Sequence, residues 1–240
     1  MRLRQRQWTL SLTAVTLTMV IAGCSGLAAE PTPAASVPPE ARGIPAAGGE
    51  RADAAASLPG LPSTKQAFIA LDGLAVVAHR SMTSYNRSKF PHWNTQKDSC
   101  DTRETVLERD GIDVQQDGEC RAISGRWVSA YDGEASTDAS ELEVDHLVPL
   151  ANAWQSGADK WTQEERGAFA NDLTHPQLLA VSAASNRSKG HQAPDEWQPP
   201  SKTYWCTYAR AWVSVKSTYR LSVTEQEKTK LTDMLRTCPS

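Results

Sequence analysis

The chain has 240 residues and a formal net charge of −3, enough length for one domain with additional segments. That balance excludes a protein that coats nucleic acid through overall positive charge. Any contact with phosphate has to come from a local basic patch or a bound cation.

Residues 1–23 read as a targeting segment. Arg2, Arg4 and Arg6 make a positive start, and Trp8 to Ala22 is an apolar run too short for a comfortable membrane span. The run ends in Ile21-Ala22-Gly23-Cys24, small residues before a cysteine, in the manner of a bacterial lipobox. The expectation is an exported protein, lipidated on Cys24 and held at the outer side of the cell membrane. The plainer alternative is a secretory signal with a chance cysteine. Without residues 1–23 the chain carries 22 basic and 28 acidic residues, a net charge of −6. Ser25 to Pro62 is rich in Ala, Pro and Gly and lacks the apolar residues to build a core, so residues 24–62 are expected to form a disordered tether. The domain is placed at residues 63–240.

Ser63 is a candidate cap for a helix to about Leu74, with Phe68, Leu71, Leu74 and Ala75 on one side. Tyr85 to Trp93 is irregular and holds two bases, aromatics and His92. It suits a substrate-groove wall or a loop that plugs the core edge, and the sequence does not separate these. Asp101 to Arg109 reads as a helix stopped by Gly111. Its Arg103 suits a phosphate contact or an ion pair with a neighbouring acid. Cys120 to Val128 reads as a strand, Tyr131-Asp132-Gly133 as a turn, and Glu134 to Glu141 as an exposed loop.

Glu143 to Val148 reads as a strand, with Val144, Leu147 and Val148 β-prone and Pro149 stopping the ladder. A helix follows from Ala151, broken at Gly157. Thr162 to Glu165 has the form of a capping box for another, ending near Asn171 in a left-handed cap. Asn171 and Asp172 read as helix-end structure. Leu178 to Ser182 reads as a strand running into a short helix that carries Asn186 and Lys189. Ser201 to Lys216 and Glu225 to Thr237 read as two helices joined by a short loop, packed antiparallel, with Tyr208, Trp212, Leu231 and Met234 in the core.

Four cysteines remain beside Cys24, an even number that suits two disulfides in an exported protein. No Cys-x-x-Cys pair occurs, which argues against a structural zinc site. Three pairings are possible. Cys100 precedes a helix and Cys120 opens the next strand, while Cys206 and Cys238 lie at the ends that meet in an antiparallel helix pair. Cys100–Cys120 and Cys206–Cys238 are therefore favoured.

Asp145 and Asn186 offer hard oxygens suited to Mg²⁺, with Mn²⁺ as the alternative. His146 suits a general base, because its ordinary pKa lies near neutrality. Glu143 shares a strand face with Asp145 and suits a supporting role. Neighbouring side chains on a regular strand point opposite ways, so Asp145 and His146 can serve one site only if the strand ends or bulges there. The bland reading is a buried Asp145–His146 pair with no catalytic role.

Asp145-His146-x-x-Pro149-Leu150 followed by Asn186-Arg187-Ser188-Lys189-Gly190 resembles the HNH endonucleases. The likeness is greatest to secreted actinobacterial members and to the C-terminal part of GmrSD-type restriction enzymes. It extends over most of residues 65–240, through Cys100 to Leu107, Ser129 to Gly133 and Phe169 to Leu173. It implies an α+β fold: a ββα-metal core elaborated with helices and the C-terminal helix pair. It also implies one divalent cation, cleavage of nucleic acid, DNA before RNA, and phosphate contacts from Arg187, Lys189 and Arg103. Many relatives carry an asparagine before the second strand, bracing the histidine loop. Gln177 stands there in this chain. The rival expectation is a surface-anchored binding module that kept the fold and lost catalysis.

Overall fold

The computed structural model describes residues 58–239, so the targeting segment, Cys24 and most of the tether lie outside the described residues. The folded part begins earlier than expected from composition. Leu58 is buried in the core, and Arg210 Nε donates to the Pro62 carbonyl at 2.7 Å, so the domain boundary precedes Ser63.

The described residues form a mixed α+β fold with two small antiparallel sheets. Helix α1 is Thr64–Gly73, opened by a capping box between Ser63 and Gln66. Ala67 and Leu71 are its buried residues, while Phe68, expected inside, is exposed. Helix α2, Thr102–Asp110, is capped by Asp101, whose side chain accepts from the Glu104 amide. Strands β1 (Ile112–Gln116), β2 (Ala122–Val128) and β3 (Ala135–Ser136) form one sheet in that order. Trp127 of β2 is buried and donates its indole N–H to the Leu107 carbonyl at 2.8 Å. A Cβ at Gly125 would lie 2.6 Å from that indole ring, so the glycine in mid-strand makes room for it.

Strands β4 (Leu142–His146) and β5 (Leu178–Ser182) form the second sheet. Helix α3 (Leu150–Gln155) and helix α4 (Gln163–Ala170) lie between them in sequence, and α5 (Ala183–Lys189) follows β5 directly. The β4–β5 pair is covered on both faces. Leu142, Val144, Leu178 and Ala180 pack with Val106, Leu107 and Trp127, whereas Leu179 and Val181 join the main helical core. β5 accordingly reads as a nearly continuous apolar run, whereas β4 alternates the apolar Leu142 and Val144 with the polar Glu143, Asp145 and His146.

The outer edge of β5 is closed by side chains of α2. Arg109 Nη2 donates to the Leu178 carbonyl at 2.6 Å, and the Asp110 carboxylate accepts from the Ala180 amide at 2.8 Å. Unpaired strand edges are thereby satisfied without a further strand.

Helix α6 (Trp205–Thr218) carries Tyr208, Ala211, Trp212 and Val215 fully buried, and α7 (Glu225–Leu235) packs on it. Cys206 at the start of α6 bridges Cys238 just past α7, and Cys100 bridges Cys120, with Cα separations of 4.9 and 5.1 Å. In the loop-entropy account each bridge contributes about 3–4 kcal/mol. Asn171 ends α4 at φ −121°, not in the left-handed cap conformation expected for it.

Candidate active site

The site forms where β4 ends. β4 pairs with β5 in unbroken register, with Asp145 opposite Leu179 and His146 opposite Leu178, so no bulge occurs. The strand stops directly after His146. Asp145 points toward α5 and Tyr131, and His146 points toward the end of α4 and Trp93. A cleft of about 510 Å³ wraps this strand end. Asp145, His146 and Asn186 all line it, together with Arg87, Pro149 and His191.

The carbonyl of Ala170 can only accept, so the 2.9 Å contact with His146 fixes the ring proton on Nε2. Nδ1 is then the lone-pair nitrogen. Burial lowers the His146 pKa to about 3, and the ring is neutral at ordinary pH. Its face stacks on Trp93 at 5.4 Å between centroids, with 29° between the planes. Trp93 sits at φ 61°, a conformation unusual for a bulky residue. Asn171 holds that strap on both sides: its amide oxygen accepts from the Asn94 amide at 2.9 Å, and its Nδ2 donates to the Pro91 carbonyl at 2.8 Å. The end of α4 thus orients His146 twice, through Ala170 directly and through Asn171 by way of Trp93. Asp172 does different work. Its carboxylate accepts from the Thr174 and His175 amides and from the Tyr219 hydroxyl, a turn-closing role.

Asp145 is buried in a polar cage. Lys189 Nζ lies 2.9 Å from both of its oxygens and donates also to the His146 carbonyl at 3.0 Å. The Tyr131 hydroxyl donates to the same carboxylate at 2.5 Å. Burial pushes the Asp145 carboxyl up and the Lys189 ammonium down, and each partner's charge pulls the other back. Burial and the neighbouring Asp145 raise the Tyr131 phenol, which therefore stays a donor. Next in sequence, Asp132 accepts from the Ser182 and Ser185 hydroxyls and so pins the junction of β5 and α5. From the sequence Tyr131-Asp132-Gly133 reads as a turn, and the likeness across Ser129 to Gly133 is the signal that points to a larger part for these residues.

Two expected phosphate contacts need correcting. Lys189 is 0 % exposed and is spent on Asp145, so it is an internal strut. Arg103 pairs with Glu104 and donates to the Ala139 carbonyl at 3.2 Å, away from the cleft lining. Arg187 is exposed, with Nε 2.8 Å from Glu143. Glu143 also accepts from Asn186 Nδ2 at 2.8 Å. A carboxylate accepts only, so the Asn186 amide nitrogen must face Glu143, and its oxygen is turned the other way. Gln177 is fully buried and accepts from the Val148 amide at 3.1 Å while donating to the Val148 carbonyl at 2.9 Å. One side chain therefore clamps both backbone groups of the loop after His146.

Asp145 and Asn186 could offer a hard divalent cation one carboxylate, whose oxygens already accept from Lys189 and Tyr131, and one amide oxygen that takes no hydrogen bond among the described residues; Mg²⁺ commonly retains waters beside so few protein ligands. No cluster of three His, Cys, Asp or Glu side chains occurs among the described residues, so an all-protein cage is not what is on offer.

The family model of the C-terminal domain of GmrSD restriction endonucleases matches residues 97–234, more than half of the chain. The chain belongs to this family. As a GmrSD C-terminal-domain protein it is nuclease-related, and the matched span holds every site residue from Arg103 to Lys189 but not the strap at Tyr85 to Trp93. An uncharacterized secreted protein of Arthroderma benhamiae is 54 % identical over 180 residues, which cover 75 % of this chain and 88 % of that protein. No solved structure matches. Among the described residues, no helix is long and apolar enough to cross a membrane.

Proposed function

We propose that this protein is a divalent-metal-dependent, HNH-type endonuclease that hydrolyses phosphodiester bonds in DNA. The observation that carries this reading is the state of His146. It is a neutral imidazole with its proton fixed on Nε2 and its lone pair on Nδ1, in one cleft with the oxygens of Asp145 and Asn186. Nδ1 takes the proton of the attacking water. A phosphate seated beside the ring raises its pKa from that low starting value, so the base strengthens once substrate is bound.

Asp145 and Asn186 would hold one Mg²⁺ or Mn²⁺, which when bound supplies positive charge to the phosphate and the leaving oxygen. Glu143 turns the Asn186 oxygen outward. Gln177 does for the histidine loop what the asparagine of many relatives does. The Arg187–Glu143 pair is exposed and worth little, so Arg187 can turn to a phosphate. The second reading, a binding module without catalysis, draws on the Lys189 ammonium, which already neutralises Asp145.

The purified chain from Ser25 onward should nick supercoiled plasmid with Mg²⁺ or Mn²⁺ and stop on addition of a chelator. Failure to cleave DNA or RNA in any divalent metal would sink the nuclease reading. For location, we propose export and anchoring through a lipid on Cys24, and the secreted relative supports the export half. Cys24→Ser should move the protein from the membrane fraction to the medium. An unchanged distribution would rule the anchor out.

A further inference from the structure

We propose that Arg87 is the residue that grips the substrate phosphate at the mouth of this cleft. The inference rests on reading the cleft as a phosphodiester site. Arg87 is the one lysine or arginine among the described residues lining it.

The other basic groups nearby lie off the cleft lining. Lys189 is held by Asp145, Arg103 by Glu104 and Arg109 by Asp110, and Arg187 sits outside the lining in an exposed pair with Glu143. Asp145 and Glu143 are thereby each balanced by a cation, and His146 is neutral. Arg87 is exposed and forms no ion pair among the described residues, so its charge is the surplus. An acidic chain thus presents a positive point where the reacting groups lie, and a local charge of this kind acts on an anion at short range.

The position is also fixed. Arg87 opens a short 3₁₀ turn, Arg87–Lys89, capped by Asn86, whose side chain accepts from the Ser88 amide at 2.9 Å. Phe90 at its end is fully buried, and Arg166 Nε donates to the Lys89 carbonyl at 2.9 Å. Tyr85, before the turn, packs edge-on against Trp154 at 5.9 Å. A guanidinium on an anchored turn, facing open solvent, can present two parallel N–H groups to a phosphate.

The test uses a short fluorescein-labelled DNA duplex and fluorescence anisotropy across a salt series, with chelator present so that nothing is cleaved. Arg87→Ala should weaken binding about tenfold or more, as expected for losing a charged hydrogen bond. It should also reduce the slope of log affinity against log salt by about one. Arg87→Lys should keep most of the slope and recover part of the affinity. Arg236→Ala, which removes an exposed charge paired with Asp233, should change neither. An Arg87→Ala slope equal to wild type, an equal loss in Arg236→Ala, or no duplex binding by wild type overturns the proposal. Cleavage is scored separately with Mg²⁺. A wild type that binds through Arg87 but never cleaves sinks the nuclease reading alone, whereas full cleavage and binding by Arg87→Ala sinks this inference alone.

Discussion

His146→Ala should lower plasmid cleavage by about 10²–10⁴-fold while leaving Mg²⁺ or Mn²⁺ affinity nearly intact. The imidazole spends Nε2 on the Ala170 carbonyl and one face on Trp93, so the lone pair on Nδ1 is what remains for chemistry. Asn186→Ala should do the reverse, with weaker metal binding and activity partly recovered at high metal concentration. Asn186→Asp keeps an oxygen ligand but sets a carboxylate against Glu143, where the amide now donates at 2.8 Å, so it should recover only part of the rate. Because His146 is buried, His146→Gln serves as a second variant that preserves more of the packing. Calorimetric metal titration beside the plasmid assay separates the roles. Loss of metal by His146→Ala, with normal binding and wild-type cleavage by Asn186→Ala, would falsify the assignment.

Lys189→Met should cost about 3–5 kcal/mol of stability, because it leaves the Asp145 carboxylate buried without its counter-charge. For a domain of this size that corresponds to a fall in Tm of about 10 °C. Pairing it with Asp145→Asn removes the stranded charge, so the double variant should be more stable than Lys189→Met alone, and the cycle measures the coupling. A phosphate-contacting lysine would behave otherwise, losing DNA affinity at unchanged stability. Thermal unfolding of the three variants decides between these. A Lys189→Met protein within about 1 kcal/mol of wild type would return Lys189 to the surface.

What was legible in the sequence is what short-range chemistry encodes. Ser63 caps α1 and Thr162 forms the reciprocal cap expected of it, and Pro149, expected to stop the strand, stands at the start of α3 just beyond the end of β4. Asp145 and His146 share a strand end that the local sequence marks, and Asn186 joins them in one cleft through the pairing of β4 with β5, which carries α5. The partners of charges are set by distant parts of the chain and leave no local trace. Lys189 looks from its neighbours like an exposed helix-end cation, and only the packing of β4 beneath α5 puts an acid under it. Phe68 has helical spacing on its side, yet α6 and α7 cover Leu71 and leave Phe68 out. Arg87 and Trp93 sat in a stretch with two readings, and the contacts serve both, since Phe90 plugs the core while Arg87 and Trp93 flank the cleft and its histidine.

The closure of the β5 edge links the β4–β5 pair to the disulfide beside it. Arg109 and Asp110 hold that edge from the end of α2, and the Cys100–Cys120 bridge fastens the start of α2 to the entry of β2. In a compartment that keeps thiols reduced, this fastening is absent and the clamp on Leu178 and Ala180 rests on noncovalent contacts alone. Reducing the Cys100–Cys120 bridge is therefore expected to lower the stability of the helix that clamps β5, an effect read by thermal unfolding with and without a reductant.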